Sequence, residues 1–333
     1  MKLHERVTQA LNFQETPSLP YTLPMEPEIV HMLNQHFGNS DWQHRIHNHV
    51  GLVRNPTLSL PVANQPQVVD VFGSVWRTDH NPAHLLKPAL SQPALTGYHF
   101  PTIDDIWDES HLQNQIDTAK EKGQFIVATT GLGLFERSWA LRGFENALTD
   151  MLLHPDFYHS LLDEILNIHI QYIVRLGSLP IDAILLSDDW GDQRGVIMGP
   201  RLWKKFFKPR AEQFFSAVHA DNKWTIQHSC GNVAPILGEM IDIGLDVLES
   251  VQPEAMDIYA IKKQFGHQLR LWGGIGTQRL LPFSAPQDIL AEISRLRSEI
   301  GRGGGYIMSP AKPILPEVPL KNVLAVFEAF EVL

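Results

Sequence analysis

Cysteine is almost absent from this chain of 333 residues, which has a single one, Cys230. One thiol excludes an intramolecular disulfide and any site built from two thiolates of the same chain, and it fits a reducing compartment. Basic residues are also in short supply. The 27 Lys and Arg stand against 37 Asp and Glu, a net charge of −10, and no basic tract interrupts the sequence. Nucleic acid and anionic membrane surfaces are normally met by clustered Lys and Arg, so neither is expected as a partner. Long apolar runs are missing too. No window approaches the roughly 18 apolar residues of a membrane span, and Met1-Lys2-Leu3-His4-Glu5-Arg6 lacks the charged-then-apolar order of a secretory signal. The expectation is a soluble, cytoplasmic protein.

What is present suits one large globular unit, because 44% hydrophobic and 19% charged residues can bury a sizeable core. From the middle onward, short apolar runs alternate with longer amphipathic patterns, the signature of repeated βα units around a parallel sheet. The spacing predicts strands over Tyr21–Pro24, Gln124–Thr129, Asp182–Ser187, Trp224–His228, Asp246–Ser250, Leu269–Trp272 and Gly305–Ser309. Helices are expected over Pro155–Leu176, Pro200–His219, Val233–Ile243, Ala285–Glu299 and Pro319–Phe330. An eighth strand between Ile46 and Trp76 would complete a (β/α)8 TIM barrel. Residues 1–333 then form a single barrel domain, with residues from about 46 to 105 as an elaborated N-terminal loop region.

Barrel active sites lie at the carboxyl ends of the strands, so the polar residues there form one candidate constellation. His228 and Cys230 flank Ser229 at a strand end, and residues i and i+2 of a strand share a face. Both side chains are ordinary zinc ligands, and catalytic zinc sites use three protein ligands with one position left open. Glu249 ends the next strand and is the expected third ligand. The plainer reading is a packed histidine beside a buried free thiol.

Asp188 and Asp189, in Ser187-Asp188-Asp189-Trp190-Gly191-Asp192-Gln193, are the candidate catalytic groups. They could orient substrate or relay a proton, or simply cap a turn or helix. Trp190, Asp192, Gln193, Gly274 and Lys312 are the expected substrate contacts. Gly303-Gly304-Gly305 precedes its strand and reads as a turn, not a phosphate loop. Glu136, Arg137 and Arg142 form a further polar cluster, which could bind an anionic group but is expected as a surface ion pair.

Several phrases together resemble the uroporphyrinogen decarboxylase superfamily, and within it the zinc-dependent corrinoid methyltransferase branch. They are Asp188-Asp189-Trp190-Gly191-Asp192-Gln193, His228-Ser229-Cys230-Gly231-Asn232, Gly244-Leu245-Asp246-Val247-Leu248 with Gln252-Pro253-Glu254-Ala255, and Gly273-Gly274-Ile275-Gly276-Thr277-Gln278. Gly304-Gly305-Tyr306-Ile307, Pro319 and Asn322 also fit. The similarity runs from about Thr16 and is most specific after Asp182. It implies a (β/α)8 barrel and zinc-dependent methyl transfer between a small methylated compound or corrinoid protein and a thiol or tetrahydrofolate acceptor. The implied cofactors are zinc and either methylcobalamin on a partner protein or tetrahydrofolate. The implied partners are a small-molecule substrate, a corrinoid protein and a second copy in a homodimer.

Two departures qualify the resemblance. The decarboxylases' N-terminal Arg-Gln-Ala-Gly-Arg phrase is absent, which removes the arginines that partner porphyrin carboxylates. The methyltransferases' second cysteine, in a phrase like Ser-Pro-Gly-Cys, is replaced in Ser309-Pro310-Ala311-Lys312. The alternatives are a metal-free, decarboxylase-like lyase and a non-catalytic binding barrel.

Overall fold

The computed structural model describes residues 1–60, 66–79 and 83–332. Its main sheet has seven parallel strands: β1 (Val50–Val53), β5 (Phe125–Leu132), β6 (Ala183–Ser187), β7 (Trp224–His228), β8 (Val247–Val251), β9 (Arg270–Ile275) and β10 (Tyr306–Pro310), paired in that order. A second, antiparallel sheet is formed by β2 (Gln67–Val69), β3 (Val75–Arg77) and β4 (His84–Lys87). It lies within the region expected as an elaborated loop. Residues 61–65 and 80–82 of that region lie outside the described residues.

The strand expected between Ile46 and Trp76 is β1, and it joins the main sheet through β5. The strand expected at Tyr21–Pro24 is reduced to a single parallel bridge between Tyr21 and Met308. Hydrogen bonds tie this segment to both flanks: Thr22 N–H donates to the Met308 carbonyl at 3.0 Å and His49 N–H to the Tyr21 carbonyl at 3.0 Å. Pro20 and Pro24 bracket the segment, and proline cannot donate to a ladder. Among the described residues the main sheet therefore has seven strands, and no eighth closes it into a barrel.

Alternation along the strands builds two apolar layers. Val50, Phe125, Val127, Ala183, Leu185, Ile226, Val247, Trp272 and Ile307 form one cluster with Val7 and Leu11 of the first helix, Leu3–Leu11. The intervening residues, among them Ile126, Ala128, Ile184, Leu186, Leu248, Leu271 and Met308, belong to the larger cluster shared with the surrounding helices. Apart from the exposed Leu52 of β1, the strands of the main sheet are buried on both faces, as parallel strands covered by helices must be.

The expected helices are present with local changes. The pattern over Pro200–His219 divides into Gly199–Phe206 and Lys208–Ala220, because Pro209 has no N–H for an i→i−4 bond. Ala285–Glu299 becomes Pro286–Arg295 followed by a wider π turn over Leu296–Ile300. Among the described residues, no helix is long and apolar enough to cross a membrane.

Candidate functional site

Parallel pairing aligns Ser187 with His228 and His228 with Glu249. The ends of β6, β7 and β8 are thereby brought to one level, and the loops that follow them meet there. Gly191 and Gly231 make the meeting close. A Cβ on Gly191 would lie 2.7 Å from the Cys230 carbonyl oxygen, and one on Gly231, whose φ is +75°, would lie 2.3 Å from the Gly191 carbonyl carbon. Asn232 N–H donates to the Asp192 carbonyl at 2.7 Å across this crossing.

Asp189, His228 and Cys230 come together. Their potential ligand atoms lie within 4.8 Å of one another. His228 Nε2 is 3.4 Å from Asp189 Oδ1 and 3.4 Å from Cys230 Sγ. Cys230 N–H donates to Asp189 Oδ1 at 2.7 Å, which fixes that carboxylate against the loop. Glu249, the expected third ligand, lies on the other side of the ring: its Oε2 is 2.5 Å from His228 Nδ1. A carboxylate there requires the proton on Nδ1 and turns Nε2 toward Asp189 and Cys230. The carboxylate grouped with His228 and Cys230 is thus Asp189, while Glu249 holds the ring.

The electrostatics follow from these contacts. Burial disfavours a charged His228 ring, but Glu249, Asp189 and Cys230 together raise its pKa well above the usual value. Burial would raise Asp189; its bond to His228, the imidazolium charge and the Cys230 N–H hold it well below the ordinary carboxylate range. Burial also opposes the Lys312 ammonium, yet Cys230, Asp189 and Glu249 keep its pKa above normal. Lys312 therefore faces the same cluster.

Asp188 sits behind this group, only 3% exposed. Its Oδ2 accepts from Phe135 N–H at 3.0 Å and Trp190 Nε1–H at 2.7 Å, and its Oδ1 accepts from Glu136 N–H at 2.9 Å. It caps the first turn of the helix Leu134–Arg142, the arrangement that satisfies a helix's free N–H groups. Burial pushes its pKa up to about 7 despite the three donors. Trp190 is packed edge-on against Trp203 at 5.4 Å and is 2% exposed.

The remaining expected contacts are dispersed. Asp192 closes its own turn, accepting from Arg194 N–H at 2.7 Å and Gly195 N–H at 2.9 Å. Gln193 lies at the rim, bonded to Gln278 at 3.1 Å. Gly274, with φ +96°, departs from the strand alternation: a Cβ there would meet Tyr306 Oη at 2.7 Å and Ile258 at 3.0 Å, on the helix side of the sheet.

Glu136 was not among the expected site residues. Its pKa is pushed up to about 8, first by burial and then by the charges of Asp189 and Asp188. The signal that could have found it is strand length, since β5 runs on to Leu132 where the apolar pattern suggested an end at Thr129. The strand-end rule applied there reaches Glu136. Arg137 and Arg142, expected on the surface, are buried and paired with Asp70 at 3.0 Å and Asp150 at 2.7 Å.

Residues 138–332 match the family model for uroporphyrinogen decarboxylase (URO-D). In sequence the chain is similar to the methylcobamide:CoM methyltransferase MtaA of Methanosarcina barkeri, 30% identical over 175 residues, 52% of this chain and 48% of that protein. It is also similar to a uroporphyrinogen decarboxylase of Coxiella burnetii, 23% identical over 197 residues, 56% of this chain and 51% of that one. The chain spans about half the length of the curated relatives it matches. In structure it is similar to a methyltransferase from Methanosarcina mazei, with a TM-score of 0.71 at 21% identity over 99% of this chain and 98% of that chain. At that identity the likeness concerns the fold.

Proposed function

The chain belongs to the uroporphyrinogen decarboxylase family, and on that premise we propose that it is a zinc-dependent methyltransferase. It would move a methyl group between a small methylated compound or a corrinoid protein and a thiol or tetrahydrofolate acceptor. One observation carries the reading: Asp189, His228 and Cys230 offer one oxygen, one nitrogen and one sulfur ligand within 4.8 Å of one another, and Glu249 secures the histidine from behind. Such a donor set fits zinc in number and kind, and a carboxylate behind the ligating imidazole is the usual support of such sites.

In this reading Asp189, His228 and Cys230 hold the ion. Bound zinc would lower the pKa of an acceptor thiol or hydroxyl and so supply a nucleophile near neutral pH. To serve as a ligand, His228 would give up the proton on Nε2 and keep the one on Nδ1, which Glu249 holds. Asp188 is a positioning residue, which ties the β6 loop to the helix Leu134–Arg142. Lys312 presents a cation to the pocket, and Asp192 and Gln193 contribute to its rim. The Tyr21 segment fills the position of the eighth strand, so the whole chain is read as one barrel domain with the region around residues 46–105 as its insertion.

The MtaA likeness makes a corrinoid protein the natural partner. A second reading rests on Lys312, whose ammonium lies beside Cys230 and Asp189 and could neutralise them with no metal, as in a metal-free lyase or binding barrel. Elemental analysis of protein purified without added zinc distinguishes the two. The expected result is one zinc per chain, with a single sulfur ligand in the zinc X-ray absorption spectrum, abolished in Cys230→Ser and His228→Ala and retained in Lys312→Ala. No stoichiometric metal, even after zinc reconstitution, overturns the proposal. Zinc appearing only in Lys312→Ala favours the second reading.

A further inference from the structure

A cavity opens at the other end of the sheet, where the strands begin. It has a volume of about 640 Å³ and is lined by four arginines, Arg6, Arg45, Arg297 and Arg302, with Glu15 and Glu331 as the acidic groups. Four positive against two negative charges leave an excess of two, on a chain whose net charge is −10. Among the described residues, none of these arginines is ion-paired to a carboxylate.

Their contacts are to neutral groups. Arg6 Nη1 lies 3.1 Å from His49 Nε2, and burial, followed by the Arg6 charge itself, lowers the His49 pKa to about 4, so the ring is neutral. Arg6 Nε is buried with no hydrogen-bond partner. Arg297 donates to the Ala329 carbonyl, and its guanidinium lies 5.7 Å from the Phe330 ring. Glu15 is already engaged, accepting from Gly303 N–H at 2.9 Å. Phe330 and Tyr21, with ring centroids 4.9 Å apart, supply an apolar wall.

We propose that this cleft binds a phosphorylated small molecule through a di- or triphosphate group. Guanidinium forks match phosphate oxygens in pairs and remain charged at all relevant pH. The volume falls within the range of about 300–1,000 Å³ common for small-molecule sites. The site is independent of the methyltransferase reading, since none of the mouth residues lines it.

The test is calorimetric titration of the full chain with inorganic pyrophosphate as probe and citrate as the carboxylate control. Arg45→Gln/Arg302→Gln is the informative variant, because both side chains are exposed and neither makes a hydrogen bond or ion pair among the described residues. The expected result is one pyrophosphate per chain, bound about tenfold more weakly or worse by the double variant, more weakly in high salt, and in preference to citrate. Cys230→Ser should bind it as the parent does, which separates the cleft from chelation of metal at the mouth. Absence of saturable binding up to about 1 mM, equal binding by the double variant, equal binding of citrate, or loss in Cys230→Ser would each overturn the proposal.

Discussion

Glu136 and Arg137 are neighbours on one helix, and they serve two regions that treat buried charge differently. Arg137 reaches into the N-terminal excursion, where its guanidinium bonds Asp70 at 3.0 Å and the Leu58 carbonyl at 2.9 Å and covers the Phe72 ring at 4.0 Å. Asp70 is itself held by the N–H groups of Phe72 and Ser74 and by Trp76 Nε1. Arg142, five residues further on, meets Asp150 and the carbonyls of Leu90 and Ser91. Glu136 turns instead toward the mouth, where Asp188 and Asp189 repel its charge and no ion pair relieves it among the described residues. The excursion buries charge and compensates it. The mouth pairs part of its charge, with Asp189 and Glu249 against the His228 ring and the Lys312 ammonium close by, but leaves Glu136 without an ion pair among the described residues. Compensation, more than burial, separates charges that hold a fold from charges available to a ligand.

The comparison can be broken most forcefully on its compensated side. Arg137→Met leaves Asp70 buried without its cation, and removing one member of a buried pair costs on the order of 3–5 kcal/mol. Chemical denaturation should register that loss, and a loss below about 1 kcal/mol would place the pair among weak surface contacts.

The uncompensated side is sharpened by pH. Glu136 has a folded-state pKa of about 8 against 4.5 for the free group. Its contribution to stability is complete below pH 4.5 and is lost as pH rises through about 8. In that window the folded state holds a proton that the unfolded state has released, so stability falls by up to about 1.4 kcal/mol per pH unit. Glu136→Gln should flatten the decline in denaturation midpoints of the metal-free protein. An unchanged slope would move its origin elsewhere, Asp188 being the other carboxyl raised by burial.

The smallest effect separates the two carboxylates around His228. In competition titrations with a zinc chelator, Glu249→Gln should weaken zinc about 10- to 100-fold, the usual effect of removing a ligand's support. Asp189→Asn, which removes a ligand, should cost more. The reverse order would return Glu249 to the ligand set.

The sequence revealed strand ends well and side-chain directions poorly. His228 and Cys230 could be placed because an apolar run ends there, and Glu249 because the next run ends one strand away; pairing of His228 with Glu249 follows from that adjacency. Which ring nitrogen Glu249 meets depends on rotamers that no spacing encodes. Glu136 was missed because Thr130 and Gly131 interrupt the apolar run before β5 is complete. Arg137 looked like a surface residue because its partner, Asp70, lies 67 positions earlier in the chain. The Tyr21 strand was legible as a segment, but its flanking prolines limit it to one bridge.

The crossing of Gly191 and Gly231 has a consequence for engineering. Because each backbone occupies the space a side chain of the other would need, the loops after β6 and β7 cannot be exchanged as separate modules. A graft that imports one from a relative would bring a surface shaped for a different neighbour, so the pair is the smallest transplantable unit at this mouth.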